Sequence, residues 1–488
     1  MPDYLRSNWV LILSFLFIMA NSALIALEQY WFAAVPFAIA VVLLALVATD
    51  KLFYFIVFFT PLSINLEEMD IGGIGMFIPT EPLLFGMMII FFLKVLYDRG
   101  FDKKVMLHPF SIAIYIYFSW LLITTLTSSM PIVSIKHITM ILWYIVVMYF
   151  FATQVFVNKK NILRFFWLYM IPLFFVVIYT CIHHAVYGFT ERSAHWVMQP
   201  FFKDHTVYGA VLSMMLPILG LLFALKRYKH YRLVTLLMIF MLLLGVILSH
   251  GRAAWLGIVV SALISIVYIY KMRRTFVFSV IGLFFIFLAV FWNDVVNVLQ
   301  QNTQDSTSEN LIEHVQSISN ISTDASNLER INRWKSAYRM FEDRPVFGFG
   351  PGTYMFQYAP FQASEDLTII STNAGDVGNA HSEFLGPLSE SGLLGLLSFL
   401  FLVVIFYVVA SRLYYRLPKG ETRKIVLFII LSFTSYMVNG LLNNFLDTDK
   451  ASVPFWAFFA IILCIDIHTK TMLDSDKELE KLLLKEKK

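Results

Sequence analysis

The residues of this chain that could do chemistry are few and scattered. They are Lys203 and His205 within Phe202-Lys203-Asp204-His205-Thr206, Arg252 within Ser249-His250-Gly251-Arg252-Ala253-Ala254-Trp255, Arg330 four residues before Trp334, and His381 within Ala380-His381-Ser382-Glu383. Arg192 and Arg344 lie nearby in sequence, the second directly before Pro345. A guanidinium holds an oxyanion through paired donors, and an imidazole can take a proton near neutral pH. Two further patterns promise more than they deliver. Gly348-Phe349-Gly350-Pro351-Gly352 has the glycines of a phosphate loop, but it follows a helix and no Lys-Ser/Thr pair comes after it, so it reads as a tight turn needing positive φ. Asp447-Thr448-Asp449 has a two-carboxylate spacing able to hold a divalent ion, yet beside Lys450 on a short loop it reads as a solvated surface. No Cys/His ligand spacing occurs, and the expectation is chemistry without a metal or cofactor.

The elements that must position these residues are membrane helices. With 59% hydrophobic and 14% charged residues and a mean hydropathy of +0.72, a chain of 488 residues is no soluble globule. Apolar runs centred near Phe15, Val41, Phe58, Ile89, Phe118, Tyr144, Phe174, Met215, Met241, Val260, Phe285, Phe399, Leu431 and Phe459 predict an all-α polytopic bundle of about fourteen spans, with a range of roughly twelve to fourteen. The basic connections alternate strictly: Lys94 to Lys104, Lys159 to Arg164, Lys226 to Arg232, Lys271 to Arg274, Arg412 to Lys424, and the tail ending at Lys488. The positive-inside rule makes these cytoplasmic, together with both termini, and turns every candidate residue to the outer face. The net charge of +4 comes mostly from those loops and does not point to nucleic acid. Cys181 and Cys464 fall inside predicted spans, so no disulfide framework is expected outside. The first apolar run reads as an uncleaved span rather than a signal peptide.

Four regions follow: a helical body of about eleven spans over 1–292, a large outer loop over 293–386, three closing spans over 387–468, and a charged cytoplasmic tail over 469–488. Within the loop, Gln300 to Ser326 is polar and reads as mobile or weakly helical; its Asn320-Ile321-Ser322 sequon reads as a chance match. Leu328, Ile331, Trp334, Tyr338 and Phe341 then recur at helical spacing, predicting an amphipathic helix over about 328–342 that packs on the membrane body or lies among headgroups. Arg330 sits at the edge of that stripe.

Taken in order, Ser249 to Gly257, Arg330 before Trp334, Arg344-Pro345-Val346-Phe347-Gly348-Phe349-Gly350, and Ala380 to Leu385 leading into Glu390-Ser391-Gly392-Leu393-Leu394-Gly395 resemble the O-antigen ligase and polymerase superfamily over roughly Phe201 to Phe459. The resemblance implies a glycosyltransferase of the bacterial inner membrane. It would move a glycan from a polyprenyl diphosphate onto a sugar hydroxyl at the periplasmic face. In ligation the acceptor belongs to lipid A core; in polymerisation it is a second lipid-linked repeat of O-antigen or exopolysaccharide. Ligation is the preferred reading. Arg252 and Arg330 would then bind the departing diphosphate, with Lys203 as a further phosphate contact, and His205, Arg344 and Arg192 as secondary candidates. His381 would be the base for the acceptor hydroxyl, kept neutral by the start of a helix. Glu383 and Glu390 read as structural, and Asp204 as a helix cap.

The competing class is a lipid-linked oligosaccharide transporter. Such a protein favours internal repeats and ionisable residues near the bilayer midplane, whereas this sequence shows no visible repeat, few charges within its spans and one large outer domain.

Overall fold

A computed structural model describes residues 3–27, 32–33, 35–36, 39, 48–66, 76–272, 328–368, 371 and 378–485. The spans read near Val41 and Phe285, and the polar stretch Gln300 to Ser326 with its sequon, lie outside the described residues. The chain divides into two compact units, Met1–Ile56 and Val57–Lys488. In the first, α1 (Asp3–Ala26) carries an apolar stretch, Leu11–Ala26. α2 (Thr49–Phe59) runs across the division and gives way to a 3-10 turn, Thr60–Leu62. At eleven residues this helix is shorter than the roughly twenty-residue span expected near Phe58. Pro61, which has no N–H to donate, sits where an α-helix would have continued.

Ten helices among the described residues are long and apolar enough to cross a membrane, all in the second unit. They answer the apolar runs read near Ile89, Phe118, Tyr144, Phe174, Met215, Met241, Val260, Phe399, Leu431 and Phe459. In order they are α3 (Thr80–Tyr97), α4 (Pro109–Leu126), α5 (Pro131–Tyr144, prolonged to Val155 through a π-helical stretch), α6 (Lys159–Val186), α7 (His205–Ala224), α8 (Arg232–Leu248), α9 (Arg252–Ile269), α11 (Leu385–Arg416), α12 (Glu421–Leu442) and α13 (Asp449–Ile467). Between α9 and α11 lies α10 (residues 328–343), and α14 (Thr469–Lys485) ends the chain. The protein is an all-α polytopic helical protein.

The core is built around α13, which is apolar on every side and is buried on every side. Phe455 and Phe459 meet Phe433 of α12 and Phe406 of α11, and the Phe406 and Phe433 rings stack with centroids 3.7 Å apart. α9 is mostly outward-facing and contacts α12 closely at Gly257. A Cβ there would come within 2.8 Å of the Ser435 carbonyl and the Asn439 amide, so only glycine permits this approach. That contact fixes where Arg252, one and a half turns earlier, can stand.

Charged side chains gather at one end of the bundle, where α6 and α12 begin. Lys159 pairs with Asp476 of α14, and Arg227 with Glu421 at 3.0 Å. Asp476 also accepts from the Thr422 N–H, so the start of the terminal segment is a docked helix. This is the end that carries the basic connections.

α10 corrects a detail of the sequence reading. Its buried face is Glu329, Asn332, Arg333, Ser336, Ala337 and Met340, while Tyr338 of the apolar stripe is 52% exposed. The buried polar groups are met by the loop: Glu329 holds Arg333 at 2.9 Å, and Asn332 donates to Gln362 at 2.7 Å. Ala337 and Met340 pack with Phe349, Tyr354, Tyr358 and Ala380 into a small core of their own.

The glycine turn is equally specific. Gly348, Gly350 and Gly352 all have positive φ, and so does Gly392, which kinks α11. The two segments interlock through Phe349 N–H to Ser389 O, Gly350 N–H to Glu390 O and Leu393 N–H to Pro345 O. A Cβ at Gly348 would collide with the Glu390 backbone, and one at Gly392 with Val346. The turn therefore bolts the loop to the head of α11, next to His381.

Candidate active site

The second end of the bundle collects the sequence-predicted residues. α8 ends at Leu248, and Ser249-His250-Gly251 turns the chain directly into α9, so Arg252 is the first residue of that helix. His250 adopts φ 51° in this turn, while the Ser249 hydroxyl accepts from Gly251 N–H. His205 is likewise the first residue of α7, whose cap is Asp204: its carboxylate accepts from Thr206 N–H at 2.7 Å and Val207 N–H at 3.1 Å. The capping role read from the sequence is thus what the structure contains.

Arg330 reaches this place from α10. Its pKa is pushed below the usual guanidinium value, first by burial and then by the charge of Arg252, with Asp204 pulling the other way. Two arginines distant in sequence thus share one space. Both helix starts, α7 and α9, turn their positive dipole ends the same way, and a cation at such a position is unfavourable unless an anion joins it.

His381 belongs to the same cluster, but for a different reason than expected. It lies four residues before α11, at φ 49°, and so does not open the helix. Its backbone N–H donates to Asn379 Oδ1 at 3.1 Å, and its carbonyl accepts from the Trp334 indole at 3.1 Å. Burial lowers its pKa to about 4, reinforced by Arg333 and Arg330 and opposed by Asp204 and the neighbouring Asn443 side chain. Desolvation and two guanidinium groups, not a helix dipole, keep the ring neutral.

The remaining candidates divide. Lys203 is exposed and acts on Asp447 across the mouth of the site. The His205 ring lies against that of His195, with centroids 4.1 Å apart. Arg344 is not in the cluster: its guanidinium stacks on Phe349 at 4.5 Å and stands 3.9 Å from Asp343, so it braces the glycine turn. Arg192 is exposed on the short helix Glu191–Ala194, and no contact ties it to the arginine pair.

Sequence reasoning missed several participants. Arg333 donates to Asn379 O at 3.3 Å and lies over the Tyr358 ring, holding the segment before His381. Asn443, His195 and His250 are also drawn in, and nothing in their sequence spacing marked them. Glu383 is structural as expected: one oxygen accepts from Tyr436 O–H at 2.6 Å and from the Phe445 and Leu446 N–H groups, fixing the loop after α12. The reading of Asp447 to Lys450 as a solvated loop is overturned in its second half. Asp449 and Lys450 are buried against each other at 3.1 Å, and Ser63 and Thr80 bond to Asp449. Among the described residues, no three His, Cys, Asp or Glu side chains are grouped to hold a metal ion.

Residues 236–400 match the O-antigen ligase family. That stretch, about a third of the chain, is an O-antigen ligase domain by this match. The matched stretch runs from α8 into α11 and takes in Arg252, Arg330 and His381, leaving Lys203 and the loop after α12 outside it. No curated protein is matched. The match supports a function of the ligase and polymerase type in general, which works on lipid-linked and acceptor glycans, and the ten long apolar helices agree with a membrane protein of that kind.

Proposed function

We propose that this O-antigen ligase relative transfers a glycan from a polyprenyl diphosphate to a sugar hydroxyl at the periplasmic face of the inner membrane, with lipid A core as acceptor. The observation that carries the reading is the convergence of Arg252, Arg330 and two helix N-termini beside a neutral His381. A diphosphate needs fixed positive charge where its own negative charge develops, and the arginines supply it without a metal. The acceptor oxygen attacks the anomeric carbon, the carbon–oxygen bond to phosphate breaks, and the diphosphate leaves with the electron pair. His381 takes the hydroxyl proton. A single displacement of this kind inverts the anomeric centre.

With its pKa at about 4, His381 by itself is a weak base. Donor binding would change that, because two phosphates beside Arg330 neutralise the charge that holds the imidazolium down, and its basicity rises when the substrate is in place.

The test is turnover. Radiolabelled lipid-linked glycan and acceptor, given to the purified protein in detergent, should yield transferred product without any sealed membrane; a requirement for a sealed bilayer would replace the reading with transport. A deletion strain separates the two branches on a lipopolysaccharide gel. Loss of the whole ladder with polymer stranded on carrier lipid supports ligation, and a core bearing one repeat supports polymerisation.

A further inference from the structure

Asn379, Ala380, Ser382 and Glu383, the residues flanking His381, line a cavity of about 170 Å³, of the scale of a single sugar ring. Its walls have two characters. Glu383, Glu390 and Asp447 present carboxylates, while Tyr117, Phe399 and Trp456 present ring faces. Among the described residues, no lysine or arginine lines it. Glu390 accepts from the Tyr354 N–H at 3.0 Å, which fixes that carboxylate in the wall.

Glu383 points to an occupant. It is only 7% exposed, and all three of its hydrogen bonds go to the oxygen Oε1. With Oε1 so engaged, Oε2 is the oxygen left to accept from a ligand in the cavity that Glu383 lines. A sugar ring offers hydroxyl donors at its rim and C–H surfaces on its faces, which suits carboxylates and aromatic rings in one wall. A uronic acid or a sugar phosphate would meet three carboxyl groups and, among the described residues, no lysine or arginine in the wall.

The position fits the chemistry. Asn443 neighbours the His381 ring, and Asn444, Leu446 and Asp447 of the same loop line the cavity. Asp447 also feels Lys203 and Asp204 of the cluster, so the mouth of the cavity adjoins the site of the arginines.

We propose that this cavity binds a neutral, hydroxyl-rich sugar ring of the acceptor and turns away anionic sugars. The inference rests on the glycosyl-transfer reading above, and its test is built so that the two fail separately.

Gly386 provides the probe. It lines the cavity, and a Cβ built on it meets nothing within 4 Å, so a larger side chain there fills the cavity without displacing the wall. Methyl glucoside and methyl glucuronide would be presented to the full chain in detergent, and binding read by saturation-transfer NMR; polyprenyl diphosphate binding would be measured alongside. The wild-type protein should bind the glucoside, with the glucuronide roughly tenfold weaker or more. Gly386→Leu should abolish the glucoside signal and keep diphosphate binding, and Gly386→Ala should keep both. Asp447→Asn should narrow the gap between the two sugars. Equal signals for both sugars, no glucoside signal, or a full signal in Gly386→Leu would overturn the proposal. Loss of diphosphate binding by the wild-type protein would instead remove the transfer reading and leave the sugar result standing.

Discussion

The Arg252 guanidinium stands near enough to Arg330 to add to burial in lowering the pKa of the latter, and Asp204 offsets only part of that pressure. One arginine begins α9 and the other comes down from α10, so the loop and the membrane body meet at a surplus of positive charge. Folding gains nothing from such a surplus. An anionic group between the two relieves it.

Replacing Arg252 or Arg330 with Ala should therefore cost transfer on the order of 2 to 4 kcal/mol, or about two to three decades in rate. Lysine should rescue poorly, since a point charge cannot reproduce the fork of donors. The check is turnover of each variant with saturating acceptor in correctly inserted protein. A fully active Arg252→Lys would assign that residue to lipid headgroups instead.

His381→Ala should leave affinity for the lipid-linked donor largely intact while removing transfer, since the base acts on the acceptor. The pH dependence is more telling. A base works when neutral, so activity is lost as pH falls through its pKa, which lies at about 4. The acid limb of kcat/KM for the donor reports the free enzyme, and that of kcat the donor-bound state. With diphosphate screening Arg330, the kcat limb should lie at higher pH than the kcat/KM limb. In Arg330→Gln the free-enzyme limb should rise, because one of the charges that depress the imidazolium is gone. Coincident limbs in the wild-type protein would remove His381 from the role.

The membrane helices were legible because a span must be about twenty apolar residues whatever it packs against. Arg252 and His381 were legible for a related reason, since they stand at the ends of such runs. What the sequence hid were groups whose meaning depends on remote partners. The buried face of α10 is polar because Gln362, Ser371 and Asn379 accept or donate to it, and a stripe of Leu328, Ile331 and Trp334 could not announce that. Asp449 and Lys450 looked like a surface pair for want of Ser63 and Thr80, which lie hundreds of residues earlier.

That pair makes its own prediction. Lys450 Nζ donates to Ser63 O at 3.1 Å and to Asp449 at 3.1 Å, and neither charged side chain is more than 1% exposed. Removing one partner strands the other, which costs about 3 to 5 kcal/mol. Lys450→Met and Asp449→Leu should each lower the midpoint of thermal unfolding in detergent sharply, while the double variant recovers much of the loss. Additive losses would show that the two charges are held by their neighbours and not by each other.

The orientation of the bundle decides whether the site meets its substrates at all. The arginine cluster and the charged end at Lys159, Glu421 and Asp476 lie at opposite ends of the same helices, and the basic connections belong to the second. Lysine and arginine near the ends of spans are retained on the cytoplasmic side during insertion, and on that rule we propose that the cluster faces the periplasm. Glu365 and Lys419 are exposed at the two ends and suit labelling. With Cys181 and Cys464 replaced by Ala, the Glu365→Cys variant should react with a membrane-impermeant maleimide in intact spheroplasts, and Lys419→Cys only after permeabilisation. The reverse pattern would put His381 in the cytoplasm, where the periplasmic transfer proposed for it could not take place.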